Sequence, residues 1–334
     1  MTRPFILIAA ALIVLLTGAP SARAQSDAYP TRNIRLFIPF AAAGVMDIVG
    51  RIVFEKVGAS LRQTVVVENR PGAGGTIAMG ELARATPDGH TIAIADPAGS
   101  LAAGVSLYPK LPYDPRTSFV PIGQVGMSGA VLSVSPVLPV KTIQEFIQLA
   151  KARRGELTYG SAGNGSPGHL NGELFKRLVG IEAIHVPYRV GSQAVTDLMT
   201  GQISFWISPI ATVLPQIQAG QVRPLAVAGD ARSSDLPDVP TIKETGLGDY
   251  NASTTYAFFV PAGTPQPIIE ILQAELKKAV ESPDVQQRLR TAGVEPQFAP
   301  ASEVRQTLTR RIAQWADVIK AAGISISDLS LIHI

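Results

Sequence analysis

The segment 157–174, LTYGSAGNGSPGHLNGEL, constrains the fold of this chain more than any other. Leu157, Thr158 and Tyr159 are β-compatible and run into a turn built of Gly160, Ser161, Gly163, Asn164, Gly165 and Ser166. From His169 to Leu178, the leucines 170, 174 and 178 recur at helical spacing. A strand that feeds a glycine turn and then a helix leaves several N–H groups unpaired and aimed at one spot, where the helix dipole adds partial positive charge. Such a loop suits an anion and reads as half of a clamp for a small carboxylate. A tight βα turn whose glycines only let the backbone bend would give the same pattern.

The same strand–loop–helix alternation runs through the rest of the chain and argues for an α/β fold. Strands are expected at Ile34–Ile38, Thr64–Val67 and Thr91–Ala95, with helices at Asp47–Leu61 and Gly75–Thr86 between them. The loops after the first and third strands are built of small residues, and the third is Asp96-Pro97-Ala98-Gly99-Ser100. In open α/β sheets ligands sit at such strand ends. Val120–Val134 is one long β-prone run, suited to a strand that crosses between lobes, and Ser253–Val260 can carry the chain back. Between them come a capping box at Thr142–Glu145, strands at Ala183–Tyr188, Ile203–Ile207 and Arg223–Ala228, and a helix at Ser192–Thr200. A helix opening at Thr264-Pro265, with the proline at its first position, carries the stripe Ile268, Leu272, Leu276 and Val280. The last helix, Glu303–Ala321, shows Val304, Leu308, Ile312, Trp315 and Ile319 on one face. A chain of this length exceeds what one core usually holds, so two lobes are expected: 25–125 with 247–328, and 126–246. Two lobes joined by two extended crossings make a hinge that a ligand can close.

The N-terminus, MTRPFILIAAALIVLLTGAPSARAQ, reads as a signal peptide over 1–24, with basic Arg3, an apolar run from Phe5 to Leu16 and an Ala22-Arg23-Ala24 cleavage site. The run is short for a bilayer span, which favours export to a Gram-negative periplasm over anchoring. There is no cysteine, hence neither lipid attachment at the cut site nor a disulfide framework. A formal net charge of +3 with scattered basic residues offers no track for nucleic acid. The last six residues, LSLIHI, follow a helix that is already complete and read as a non-native tail.

The chemistry that could be claimed is thin. Gly163–Gly168 fits G-x-G-x-x-G after a strand, but Pro167 interrupts it and the following strand ends at Pro187-Tyr188-Arg189 without a ribose-binding acid. There is no P-loop. Neither serine in the loop has the G-x-S-x-G of a hydrolase elbow, although His169 and His185 could serve as bases. His90, His169 and His185 lack metal-ligand spacing, so no metal or cofactor is expected. Asp47 sits in the first turn of its helix, where a dipole contact or an ion pair with Arg51 would explain it. Arg189 could grip a carboxylate or stand as a solvated loop cation.

Ile38-Pro39-Phe40 followed by Ala41–Asp47, then Val66–Gly75 (VVENRPGAGG), resembles the extracytoplasmic receptors of tripartite tricarboxylate transporters, also called Bug receptors. Leu111–Pro115, the loop Tyr159–Leu170, Val186–Arg189, Leu236–Thr241 and Pro261–Pro265 belong to the same pattern, so the resemblance spans about Tyr29 to Asp328. It implies a two-lobed Venus-flytrap receptor of the type II-like periplasmic binding protein class, monomeric and without catalysis. Such a receptor binds a small carboxylate and delivers it to membrane permease subunits. Ligand contacts are then expected from Phe40, Ala41, Ala43, Gly44 and Asp47 in the first loop, and from Ser161, Asn164, Gly165, Ser166 and His169 in the Gly/Ser loop. Pro97, Ser100, Arg189 and Ser208 complete the set. Two departures matter: the first loop reads Ala41–Met46 where the family is richer in proline, glycine and polar residues, and a later strand ends at Ser208-Pro209 after Trp206 where an acid or amide is common. Both make the cleft less polar and point to an aromatic or medium-chain carboxylate. A receptor for a sensor kinase shares this fold, and a periplasmic serine hydrolase is the remaining alternative.

Overall fold

The computed structural model describes residues 29–322 except 190, 230 and 249; the signal-like segment 1–24, Asp328 and the tail 329–334 lie outside the described residues. In chain order the first elements are β1 (Ile34–Ile38), α1 (Val45–Leu61), β2 (Val65–Asn69), a 3-10 turn (Ala73–Gly75), α2 (Thr76–Ala83), β3 (Thr91–Ala95), α3 (Ser100–Leu107) and β4 (Phe119–Ser128). Next come β5 (Ala130–Val134), α4 (Ile143–Ala152), β6 (Thr158–Ser161), α5 (Pro167–Val179), β7 (Ile184–Pro187), α6 (Gly191–Thr200), β8 (Phe205–Pro209), α7 (Ile210–Gln218) and β9 (Arg223–Val227). The chain continues with β10 (Thr254–Pro261), α8 (Gln266–Glu281), α9 (Pro283–Thr291), β11 (Glu295–Ala299) and α10 (Ala301–Ala322).

These build two mixed sheets, each the floor of one lobe: β11-β4-β10-β3-β1-β2 in the first and β7-β6-β8-β5-β9 in the second. Both contain a parallel trio, β2-β1-β3 and β7-β6-β8, and both set an antiparallel strand beside the third member, β10 against β3 and β5 against β8. The trios correspond element for element, so the β1–α1 loop of one lobe and the β6–α5 loop of the other occupy equivalent positions at strand carboxyl ends. β3, TIAIA, is buried along its whole length, as a parallel strand covered on both faces must be.

The long β-prone run crosses between lobes, but as two strands. β4 ends at Ser128 in the first sheet and β5 starts at Ala130 in the second, with Gly129 alone between them. Thr254, the first residue of β10, lies opposite Ser128, so the returning chain enters the first sheet beside the point where it left. The two crossings therefore lie side by side.

Helix faces match their apolar spacing. Val49, Val53 and Val57 of α1, and Val304, Leu308, Ile312, Trp315 and Ile319 of α10, are buried. On α8 the buried stripe is Ile269, Leu272, Leu276 and Val280, with Ile269 taking the place expected of Ile268. Pro265 is the N-cap of α8 rather than its first residue, and Pro267 supplies the early proline. The capping box of α4 is present, Thr142 Oγ1 accepting from Glu145 N–H and the Glu145 carboxylate accepting from Thr142 N–H. Helices α3, α7 and α9 and strand β11 carry no clear periodic signal in the sequence. α3 is built almost entirely of small apolar residues, and α7 contains Pro215.

Candidate ligand-binding site

The Gly/Ser loop of the second lobe is held from below by neutral side chains. Ser166 is the N-cap of α5, its Oγ accepting from His169 N–H, with Pro167 at the first helical position. The helix thus starts two residues earlier than the leucine spacing alone suggested. His169 Nδ1 accepts from Gly165 N–H at 3.1 Å. Ser161 Oγ accepts from Gly163 N–H at 3.1 Å and lies 2.6 Å from His185 Nε2. The two imidazoles stack at 4.1 Å, and Tyr159 stacks on the other side of His185 at 4.9 Å. The Tyr159 hydroxyl donates to Glu173, which also takes Lys176. Ser161, Ser166 and His169 are therefore buried props of the loop. Ala162 is exposed and Asn164 and Gly168 are half-buried. Among the described residues the N–H groups of these three have no acceptor.

The first-lobe loop is held by an ion network. Asp47, almost fully buried, accepts from Ala43 N–H at 3.0 Å, from Asn69 Nδ2 at 2.9 Å and from Arg51 Nε on both oxygens at 3.0 Å. Asn69 also donates to Phe40 O. Burial pushes the Asp47 carboxyl up, but the hydrogen bonds from Arg51, Asn69 and Ala43 outweigh it and hold the group below the usual carboxylate range. Asp47 thus spends its lone pairs behind the loop, with the Arg51 pair in place. What the loop turns outward is backbone: Ala42, Ala43 and Gly44 are exposed and Phe40 and Ala41 half-buried. Gly44 caps α1 without a side-chain bond, so the first helical N–H groups, Val45 and Met46, are left open.

The two loops approach each other through the 3-10 turn. A Cβ built on Gly75 would lie 3.0 Å from Pro39 at the head of the first loop. A Cβ on Gly74 would lie 2.8 Å from Gly165 O, and one on Gly165 would lie 2.5 Å from the Tyr108 hydroxyl. Only glycine fits where backbones of the two lobes pass this closely, and Gly165 also has φ +75°. Beside this seam Leu170 of α5 is buried in the first-lobe core with Ala102 and Ala103 of α3. Gly74 is foreshadowed by the run RPGAGG, whereas Tyr108 has no local signal because its role depends on a contact 57 residues away.

The remaining expected residues fall around the seam in different ways. Pro97 is buried in the β3–α3 turn and Ser100 opens α3 half-buried. That turn is fixed by Asp96, whose Oδ1 accepts from Ala98 N–H and from the N–H and hydroxyl of Thr255 on β10; burial pushes this carboxyl above its ordinary range. Arg189 follows β7, whose end is tied to the loop by a Tyr188 N–H to Ser161 O bond; it is exposed and has no ion-pair partner among the described residues. Ser208 and Trp206 are buried in β8, and neither Ser208 Oγ nor Trp206 Nε1 has a hydrogen-bond partner among the described residues.

Burial, then His169 and Lys176, push the His185 imidazole down to about 3, so beside Ser161 it is a neutral and weak base. Ser161 is itself fully buried. Groups of three or more metal-capable side chains are absent among the described residues. The seam exposes backbone N–H donors, which suit an anion.

Residues 49–324 match the model of the tripartite tricarboxylate transporter family receptor. Protein BugT of Bordetella pertussis is 34% identical over 97% of this chain and 98% of its own. Among solved structures, the periplasmic binding protein BugD superposes with a TM-score of 0.81 at 32% identity, covering 89% of this chain and 99% of that one. R. palustris Rpa4515 with adipate gives 0.82 at 33%, covering 88% and 98%. MatC from Rhodopseudomonas palustris with bound malate gives 0.80 at 31%, covering 87% and 100%. This chain belongs to the tripartite tricarboxylate transporter receptor family.

Proposed function

We propose that this receptor works in the periplasm, closes its two lobes on a small carboxylate and hands it to a tripartite tricarboxylate-type permease. The observation that carries the reading is the set of backbone N–H groups left open on both sides of the seam. The open groups are N–H groups of Ala162, Asn164 and Gly168 on one side and of Val45 and Met46 on the other, while the nearby acid Asp47 is fully engaged. N–H donors that lack acceptors favour an anion with several lone pairs, and a carboxylate supplies about four. The first loop is lined by Phe40, Ala41 and Val45 rather than polar side chains, which favours a medium-chain or aromatic acid over an amino acid, whose ammonium would need a counter-ion. Neighbours at about one-third identity bind adipate and malate.

A thermal-shift screen of aliphatic and aromatic mono- and dicarboxylates, amino acids and sugars tests this. A cognate acid at about 100 times its Kd stabilises by about 2.7 kcal/mol. Stabilisation by amino acids or sugars but by no simple carboxylate would overturn the reading. Small-angle scattering with the hit tests closure: an unchanged radius of gyration at saturation means a rigid site.

A further inference from the structure

Tyr108 ends α3 in the first lobe, its N–H closing the helix on Gly104 O. Its hydroxyl is buried and has no hydrogen-bond partner among the described residues. Buried hydroxyls are nearly always paired, so an unpaired one at a candidate site requires a reason. This hydroxyl lies against the second-lobe loop, where a Cβ on Gly165 would come within 2.5 Å of it. No acceptor among the loop's described residues is bonded to it. Gly163 O already accepts from Ser166 N–H and Ser161 Oγ, and Gly165 O lies against Gly74. The open groups there include three donors, the N–H of Ala162, Asn164 and Gly168. Burial pushes the phenol up to about 12, so it keeps its proton and is one more donor.

We propose that Tyr108 is a ligand-binding residue supplied by the first lobe, its hydroxyl donating to an oxygen of the carboxylate that the second-lobe N–H groups hold. This rests on the carboxylate reading and adds to it a side chain from outside both glycine loops. The phenol and the N–H groups belong to different lobes, so their shared acceptor bridges the seam only when the lobes are closed. Tyr108 therefore acts on ligand release more than on encounter. A hydroxyl that is only a packing remnant predicts the opposite: its removal is neutral or stabilising and leaves binding untouched.

The test is Tyr108→Phe, with adipate as the aliphatic probe and benzoate as the aromatic one, read by calorimetry and stopped-flow kinetics. The expected result is an unchanged or slightly raised melting temperature without ligand, and about ten-fold weaker affinity carried by faster dissociation. Wild-type affinity in the variant overturns the role of Tyr108 while the carboxylate reading stands. A lower melting temperature without ligand overturns it as well, by placing the hydroxyl in the fold. If neither probe binds the wild-type receptor, the carboxylate reading for these acids falls first and the inference falls with it.

Discussion

The β1–α1 and β6–α5 loops occupy equivalent places in the two lobes and are held by opposite chemistry. The first is fixed by a charged hub, Asp47, shared by Arg51, Asn69 and Ala43 N–H. The second is fixed by neutral groups: the Ser166 cap, the Ser161 hydroxyl and two stacked imidazoles. Both solutions lead to one outcome, a loop whose outward N–H groups stay free. The difference teaches that an acid can stand behind a proposed anion site if its charge is consumed locally. It also makes the two loops respond differently to pH and to mutation.

The largest expected effect comes from the seam itself. Gly165→Val places a β-branched residue at φ +75° with its Cβ on the Tyr108 hydroxyl. The backbone alone costs about 1–2 kcal/mol, and the clash holds the lobes apart. Binding should be lost together with stability, measured by calorimetry and urea unfolding; a variant that binds normally would show that the seam opens without penalty. Gly165→Val is therefore not a clean test of ligand contact.

Asp47→Ala comes next. It removes the acceptor of Ala43, Asn69 and Arg51 at once, and the loss should be about 2 kcal/mol in urea unfolding. Asp47→Asn keeps an acceptor for Ala43 N–H and should cost less. Equal losses in the two variants would mean that the charge, rather than the acceptor, holds the loop.

Acid separates the two loops further. Burial first, then the neighbouring charges, push His185 down to about 3, and burial pushes His169 below its ordinary value. The unfolded chain, with histidines near 6.5, then binds more protons than the folded one below that pH. Stability linked to the imidazoles should fall as pH drops from about 6.5 toward 3. Asp47 is depressed as well, but from a carboxylate's ordinary value, so its contribution is present above about 4 and is lost only as pH falls through its lowered value. Glu173 and Lys176 on α5 and Tyr159 on β6 face the imidazole pair. A His185→Gln variant should flatten the slope of melting temperature between pH 4.5 and 6.5, while Asp47→Asn should leave that slope as it is. Parallel slopes in wild type and His185→Gln would remove the imidazole pair as the source.

The loops were legible in the sequence because each is local: small residues, a strand before and an apolar helical face after. The hub Asp47 was legible for the same reason, its Arg51 partner being four residues on. The neutral hub was not, because it depends on register. Tyr159 and His185 meet only because β6 and β7 pair in parallel with those two residues opposite, and His169 reaches them from α5. The Gly74–Gly165–Tyr108 seam depends on how one lobe lies on the other, which no periodicity encodes. The run Val120–Val134 shows a further limit: its β-prone residues marked it as an extended crossing, but not that the chain changes sheets at Gly129.

The smallest effect is expected from the cations beside the two loops, and it sharpens the comparison most directly. Arg51 is committed to Asp47, and its charge is spent within the first lobe. Arg189, which follows the second loop's neighbouring strand, is exposed and has no acid partner among the described residues. Removing it should cost no more than about 0.5 kcal/mol of stability, as for an ordinary surface position. Its charge, however, remains available to an approaching anion. Arg189→Gln should therefore lower the association rate of a carboxylate a few-fold at low ionic strength, with the gap closing near 0.15 M salt as screening shortens its reach to about 8 Å. If the residue contacts the bound carboxylate, the deficit persists at high salt and appears in dissociation as well. If it is only a solvated loop cation, wild type and variant coincide at every ionic strength. The salt dependence of the two rate constants thus separates steering, gripping and indifference in one series.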